Sequence, residues 1–150
     1  MRAMLDPVVE SAMRERIGTA PFSTWMGIKL VELQDGASEV RMIVEPHHRN
    51  PGGIAHGGII ATMLDVAIGL ALRTKLGMSA SHVTVNLAIN YLRPASGDTL
   101  VARGRTVRSG GRIAYGEASL FDGDDVELAR ATATFLTLAD DGRRPALDGE

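Results

Sequence analysis

The residue most suited to chemistry is Asp65, because it is the only charged residue among the sixteen from Gly57 to Leu72. Read at 3.6 residues per turn, this stretch is apolar on almost every face, which predicts a helix buried on all sides. It is too short and too interrupted to span a membrane. A buried lone carboxylate is costly unless it is paired, hydrogen-bonded or catalytic. Asp65 is therefore either tied to a neighbouring donor or a candidate base or nucleophile.

The segment in front of this helix, from Asn50 to Gly58, contains four glycines and a proline, which is typical of a loop whose backbone approaches another group closely. Gly57 and Gly58 then open the helix. The first N–H groups of a helix have no partners within it and carry partial positive charge. These two N–H groups could hold a developing oxyanion. The alternative is that the glycines serve only close packing.

The spacing of Gly57 and Asp65 has a geometrical consequence. They are eight residues apart, which is about 12 Å along a helix axis. Groups that act on one carbonyl must lie within about 3 Å of the atoms they serve. A two-fold dimer with antiparallel helices side by side would bring Asp65 of one chain to Gly57 of the other. If the two residues cooperate, the protein is a homodimer with two shared sites, or a dimer of such dimers.

Hydrophobic periodicity and turn residues predict the elements that position these groups. A short helix from Asp6 to Gly18 is followed by a helical turn from Pro21 to Met26 that carries Trp25 inward. The predicted strands cover 27–33, 38–44, 82–92, 99–108, 112–122 and 126–138. Short turns between the later strands imply an antiparallel sheet. The fold class is α+β, with an antiparallel sheet of five to six strands wrapped around one long buried helix.

Two patterns within the strands refine this picture. In the strand at 82–92, alternation places Val83, Val85, Leu87, Ile89 and Tyr91 on one face and His82, Thr84, Asn86, Ala88 and Asn90 on the other. Small residues recur at every second position of the last two strands, at 114–118 and 129–133, which lets a helix approach the sheet closely. We expect one domain over residues 1–150, with an N-terminal helical extension at 1–20 and a disordered tail at 139–150.

Composition narrows the possible partners. The chain has 150 residues, 23% of them charged, and a net charge of −2, so neither nucleic acid nor an anionic membrane is an expected partner. It has no cysteine, which excludes a thiol nucleophile and thiolate metal sites. The four histidines lack the spacing of a helical metal site, and we expect no metal or other cofactor. The N-terminus shows no apolar segment of a secretory signal, so a cytoplasmic location is expected.

The pattern N-P-x-G-x-x-H-G-G at residues 50–58, with D-x-A at residues 65–67, resembles the hotdog-fold thioesterases. The greatest resemblance is to the phenylacetate-pathway-like (PaaI-like) acyl-CoA thioesterases. The segment from Thr84 to Pro94 is similar to that family's long strand ending in Arg-Pro. The resemblance covers roughly residues 22–138 and implies the hotdog fold, an antiparallel sheet around one helix, in agreement with the periodicity.

The resemblance implies an acyl-CoA thioesterase that hydrolyses an aromatic or medium-chain acyl-CoA to the free acid and CoA. In this family's arrangement, Asp65 activates water or attacks the carbonyl itself, and the Gly57 N–H is the oxyanion donor. Asn50 orients water or the thioester, or is simply a turn residue before a proline. His56 places the carbonyl or caps the helix. Thr84 assists the water, or is merely a good strand former.

Substrate contacts are expected in two places. The phosphates of coenzyme A need arginine or backbone donors, and the family places nucleotide contacts in loops at strand ends. The matching residues here are Arg93, Arg108, Gly111 and Arg112, for which solvent-exposed arginines without a ligand are the alternative. The acyl group is expected along the helix, against Gly58, Met63, Leu64, Ile68 and the segment Pro21–Met26.

Two other functions fit parts of the pattern. A hotdog hydratase or dehydratase pairs a histidine with a helix carboxylate, as His56 and Asp65 would do, although the His-Gly-Gly helix start resembles the thioesterases. A non-catalytic acyl-CoA-binding protein of the same fold would bind the thioester without releasing thiol.

Overall fold

The computed structural model describes residues 4–139. In chain order, the elements are α1 (Pro7–Thr19), α2 (Pro21–Met26), β1 (Lys29–Gln34), β2 (Ala37–Ile43), a 3-10 turn (Pro46–His48), α3 (Gly57–Leu76), β3 (Ala80–Tyr91), β4 (Thr99–Arg108), β5 (Ile113–Asp122) and β6 (Glu127–Ala139). Each predicted helix and strand is present. The predicted disordered tail falls, from residue 140 onward, outside the described residues.

The six strands form one sheet in the order β1-β2-β4-β5-β6-β3, and each neighbouring pair is antiparallel. One face of this sheet packs against α3, and the residues between them form the hydrophobic core. This confirms the predicted α+β architecture. None of the helices between residues 4 and 139 is long and apolar enough to cross a membrane.

Small residues allow α3 to lie directly on the sheet, as predicted. A Cβ atom added to Gly104 of β4 would lie 2.3 Å from the carbonyl oxygen of Ala67, and one added to Gly116 of β5 would lie 2.5 Å from Ile68 Cγ2. The hydroxyl of Ser38 donates to the same Ala67 carbonyl at 2.6 Å. Helix and strands are therefore in backbone contact at the centre of the core, where no side chain larger than hydrogen fits at residue 104.

The simple alternation predicted for β3 is wrong, because the pairing of β3 with β6 shifts between Thr84 and Asn86. Such a bulge reverses the face of every later residue relative to every earlier one. Thr84, before the bulge, reaches α3, and so do Leu87 and Ile89, which pack on the core after it. The first half of β3 therefore presents the polar Thr84 to α3, and the second half presents the apolar Leu87 and Ile89 to the same helix.

The first two helices flank the sheet. Asp6 caps α1, as predicted, by accepting a hydrogen bond from the Val8 N–H at 2.8 Å. The side chain of Met13, on the inner face of α1, is buried. In α2, Met26 is buried, whereas Trp25 is 69% exposed, so the prediction that Trp25 points inward is wrong. A six-residue helix has one inward face, and a residue next to Met26 projects about 100° away from it.

Candidate active site

Asp65 lies in the middle of α3, where it is half-buried and faces β3. Its Oδ1 atom accepts a hydrogen bond of 2.9 Å from the Thr84 hydroxyl, so the structure brings these two predicted residues together. Within residues 4–139, Thr84 provides the one side-chain hydrogen bond to this carboxylate. Asp65 is therefore held in one orientation while its second oxygen is left for a substrate or water.

A cavity of about 270 Å³ opens beside Asp65, between α1, α3 and the first half of β3. Asp65 and Thr84 form one end of its lining, and Met13, Ile17 and Phe135 are among its apolar walls. A concave, mostly apolar cavity with a few polar groups is the usual form of a small-molecule site. The carboxylate therefore sits at the edge of a space that an apolar group can fill.

Gly57 is the first residue of α3, so its N–H has no partner within the helix. Among the residues from 4 to 139, no acceptor bonds to this N–H. The Gly57 carbonyl, in contrast, accepts a hydrogen bond of 2.9 Å from the Tyr91 hydroxyl. Tyr91 was not among the predicted site residues, although the alternation of β3 placed it on the same face as Leu87 and Ile89, which pack on the core beside α3.

Gly58 does not offer a second oxyanion donor. Its N–H donates to Nδ1 of His56 at 2.9 Å, which makes His56 the N-cap of α3. The prediction of two available N–H groups is corrected to one, at Gly57. Of the two roles expected for His56, the capping role is the one that the geometry shows. The Nδ1 atom must be unprotonated to accept this bond, so the proton of a neutral ring is on Nε2.

Asn50 holds the loop in front of α3. Its side-chain oxygen accepts hydrogen bonds from the N–H groups of Gly52, at 2.9 Å, and Ile54, at 3.4 Å. This is the turn role that was the alternative for Asn50. Its side-chain NH₂ group makes no hydrogen bond within the described part of the chain and is left for a ligand.

Met63, Leu64 and Ile68 are all fully buried, and they belong to the core between α3 and the sheet. The prediction that they line the acyl pocket is therefore corrected: the inward face of a helix that touches the sheet leaves no open space there. The segment Pro21–Met26 does not line the cavity either. Residues of α1, together with Ala20, line the cavity instead.

The four residues predicted to contact coenzyme A lie at opposite ends of the sheet. Arg93 follows β3 and donates to the Glu127 carbonyl at 2.6 Å, near the start of β6. Arg108, Gly111 and Arg112 belong to the β4–β5 hairpin, whose Ile113 pairs with Leu136 near the other end of β6. Within one chain, a single ligand does not reach both groups, because about eight strand residues span some 26 Å.

His82 forms part of the cavity wall, in edge contact with Phe135 at a ring distance of 5.2 Å. Burial, followed by the positive charges of Arg73 and Arg16, lowers the pKa of His82 from 6.5 to about 4. The ring is therefore neutral at pH 7. Burial and the charge of Arg16 also lower the pKa of Arg73. Arg73 was not among the predicted site residues, although Asp65, Gly69 and Arg73 share one helix stripe at four-residue spacing.

The described residues, 4–139, contain no group of three or more histidine and carboxylate side chains arranged to hold a metal ion. The chemistry available at this site is that of one oriented carboxylate, one free helix N-terminal N–H and an apolar cavity. Asp65 and Gly57 lie on the same helix, about 12 Å apart along its axis. They do not meet within one chain.

Comparison with known proteins places the chain in a family. The family model of the thioesterase superfamily matches residues 52–129, which is more than half of the chain. The chain therefore belongs to the thioesterase superfamily. The medium/long-chain acyl-CoA thioesterase YigI of Salmonella typhimurium is 28% identical over 134 residues, which cover 77% of this chain and 84% of YigI.

Solved structures of other proteins show the same fold. A conserved protein of Pseudomonas aeruginosa is 34% identical with a TM-score of 0.78, and the match covers 83% of this chain and 98% of that protein. The PaaI protein of Escherichia coli, from the phenylacetic acid degradation operon, has the same fold, with a TM-score of 0.78 at 21% identity over 88% of this chain and 92% of PaaI. The expected hotdog fold and the resemblance to PaaI-like thioesterases are confirmed, and the chain is a thioester hydrolase.

Proposed function

We propose that this chain hydrolyses acyl-CoA thioesters to the free acid and CoA, with Asp65 as the catalytic carboxylate. The observation that carries the proposal is a half-buried carboxylate, oriented by Thr84, at the edge of an apolar cavity. The name of the relative YigI, a medium/long-chain acyl-CoA thioesterase, supports coenzyme A as the carrier.

The free oxygen of Asp65 takes a proton from the attacking water or attacks the thioester carbonyl itself. Both routes put negative charge on the carbonyl oxygen, and in both the C–S bond breaks and the CoA thiolate takes up a proton. In the first route this step yields the free acid, whereas in the second it leaves an acyl–Asp65 anhydride that water then hydrolyses to the acid and the free carboxylate. The Gly57 N–H, at the positive end of α3, donates to that oxygen. Because Asp65 and Gly57 are too far apart within one chain, the site needs Gly57 from a second subunit.

The exposed edge of the sheet supports such a dimer. β3 is the last strand in the sheet order and has twelve residues, so one side of its backbone has no strand partner among residues 4–139. Val83 and Val85 on this strand are 47% and 61% exposed. Long apolar edge strands are liable to pair with another chain. We infer that β3 pairs with β3 of a second copy across a two-fold axis.

The position of that axis follows from two contacts within the chain. Thr84 lies beside Asp65, and Tyr91 lies beside Gly57, so β3 runs antiparallel to α3. Gly57 of one subunit reaches Asp65 of the other when Thr84 lies opposite Tyr91 of the second copy. The midpoint of these two positions falls next to Ala88, and we place the axis there.

In this dimer, the predicted coenzyme A contacts from the two ends of the sheet also come together at one site. With Thr84 opposite Tyr91, Arg93 of one subunit lies opposite His82 of the other. His82 pairs with Thr137, whose N–H donates to the carbonyl of Arg112 in the β4–β5 hairpin at 2.7 Å. Arg93 of one subunit and the hairpin residues Arg108, Gly111 and Arg112 of the other then flank one site. The hairpin side chains are exposed and open to a phosphate group.

The cavity beside Asp65 is the proposed place of the acyl group, aromatic or of medium chain length. Its volume of about 270 Å³ is close to the lower end of the usual range for ligand pockets, which begins at about 300 Å³. The hydratase alternative is disfavoured because His56 caps α3 through Nδ1.

Thiol release from a panel of aromatic and straight-chain acyl-CoA esters tests the proposal. The chain has no cysteine, so a thiol reagent reports only released CoA. We expect turnover by the wild type, a loss of about 10²-fold or more in kcat for Asp65→Asn, and no loss for Asp124→Asn, a surface control. Enoyl-CoA formation or hydration without thiol release would indicate the hydratase, and binding without reaction would indicate an acyl-CoA-binding protein.

A further inference from the structure

The cavity beside Asp65 is polarised along its length. Its α3 lining runs from Asp65 through Val66, Gly69 and Leu70 to Arg73, so it extends about 12 Å toward the C-terminal end of the helix. The walls between the two ends are largely apolar, with Met13 and Ile17 on the α1 side. An acyl group whose thioester lies at Asp65 therefore ends near Arg73.

The far end of the cavity carries two positive charges. Arg16 of α1 and Arg73 of α3 both line it, and they are close enough for the charge of Arg16 to lower the pKa of Arg73. Arg73 donates one hydrogen bond, to the Ala80 carbonyl. Within residues 4–139, neither arginine forms an ion pair with a carboxylate. Arg14, two residues earlier on α1 and so on the opposite side of the helix, pairs with Glu10 at 2.8 Å.

His82 adds a half-buried ring, with a buried Nδ1 atom, at the same end. Its ring lies against Gly69, where an added Cβ atom would be 3.1 Å from Nε2, and its Nδ1 has no hydrogen-bond partner within the described residues. The low pKa of His82 keeps the ring neutral at pH 7, so the two arginines supply the charge. Arg16 is exposed, but Arg73 is half-buried, and a half-buried charge at an apolar cavity is costly unless a counter-charge satisfies it.

We propose that this cavity selects acyl groups whose far end carries a carboxylate, which Arg16 and Arg73 bind at the end opposite Asp65. The substrate class is then the mono-CoA thioesters of medium-length dicarboxylic acids. The proposal rests on the acyl-CoA thioesterase function above and specifies its acyl group. A guanidinium binds a carboxylate through charge-assisted hydrogen bonds, which are stronger than neutral ones.

Pairs of substrates that differ only in the terminal carboxylate test this inference. We would measure kcat/KM for adipyl-CoA against hexanoyl-CoA, and for suberyl-CoA against octanoyl-CoA. For the wild type, we expect kcat/KM to be about tenfold or more higher for the dicarboxylic member of at least one pair. Arg16→Met should abolish this preference, so that the ratio of kcat/KM within each pair falls to about one, because the exposed guanidinium that binds the carboxylate is lost.

Two control variants separate this contact from general charge effects. Arg14→Met removes a positive charge from the same helix outside the cavity and should keep the wild-type preference. Arg16→Lys should keep part of it, since the charge remains and the planar fork is lost. The inference is overturned if the wild type prefers neither dicarboxylic ester, or if Arg16→Met keeps the preference.

Failure of the proposed function would look different. If no ester releases thiol, the hydrolase proposal fails, and calorimetric binding of adipyl-CoA and hexanoyl-CoA to the wild type still tests the pocket. Tighter binding of adipyl-CoA that is lost in Arg16→Met would support the carboxylate site, and equal dissociation constants would refute it.

Discussion

Gly57→Pro is a substitution that removes one backbone donor and changes little else. Gly57 is the first residue of α3, a position that proline favours in helices. The preceding residue, His56, has φ −61° and ψ 140°, the extended conformation that a following proline requires. An added Cβ atom lies 3.5 Å from the Tyr91 hydroxyl, which is ordinary contact. The variant should therefore fold while lacking the proposed oxyanion donor.

The expected loss of kcat in Gly57→Pro is large. Removing one oxyanion-hole donor costs about 2.7–4 kcal/mol of barrier, or about 10²–10³-fold in kcat. The Gly57 N–H has no acceptor among residues 4–139, so its removal breaks no hydrogen bond of the folded chain. Stability should change by less than about 1 kcal/mol, since proline at this position needs no change in backbone conformation. Gly57→Pro is thus expected to lose activity while keeping nearly the stability of the wild type.

The assay is thiol release from acyl-CoA, with thermal unfolding of the same samples. Gly57→Ala is the matched control, because it keeps the N–H and adds the same Cβ atom. We expect Gly57→Ala to stay within about fivefold of the wild type, which allows for contact of the new methyl group with Tyr91. If Gly57→Pro folds and has the kcat of Gly57→Ala, the Gly57 N–H does not stabilise the oxyanion.

Three further predictions test the fold and the assembly. Because its folded pKa of about 4 lies below the ordinary 6.5, His82 stabilises the fold fully above pH 6.5, and this contribution falls by about 1–2 kcal/mol from pH 7 to pH 5. Urea unfolding should show a shallower loss over this range in His82→Leu than in the wild type, and an unchanged slope in that variant would refute the assignment. Gly104→Ala should lower the free energy of unfolding by about 1–3 kcal/mol, because its methyl group would meet the α3 backbone, whereas Gly18→Ala, with open space around it, should not. Ala88→Cys should cross-link into a covalent dimer with a short bis-maleimide, and Val83→Cys, about 30 Å from its copy in the proposed dimer, should not. Equal cross-linking of the two variants would place the axis elsewhere.

The sequence predicted the architecture well because its signals are local. The apolar stretch that opens at Gly57 and ends before Gly77 became α3, with His56 as its cap. Alternation and turn residues located all six strands, and the short connections implied their antiparallel pairing. The small residues at 114–118 indicated a close helix contact. Gly104, the tightest of these contacts, was missed, although a lone glycine within a strand is a known signal of close backbone approach.

The parts that could not be predicted depend on tertiary contacts. The bulge after Thr84 has no glycine or proline to mark it, and it decides which residues of β3 face α3. Met63, Leu64 and Ile68 could line either a pocket or a core, and only the placement of the sheet decides for the core. The basic end of the cavity joins Arg16 to Arg73, which are 57 residues apart in the chain.

The most direct test of a site shared between two subunits is complementation in mixed dimers. Asp65→Asn and Gly57→Pro subunits, each inactive alone, would be mixed in equal amounts, unfolded and refolded together, and assayed for thiol release. Random pairing makes half of the dimers mixed, each with one intact site, so about a quarter of the wild-type activity should return. No recovery, in samples whose mixed dimers are verified by mass, would mean that Asp65 and Gly57 do not act on one carbonyl across the two subunits.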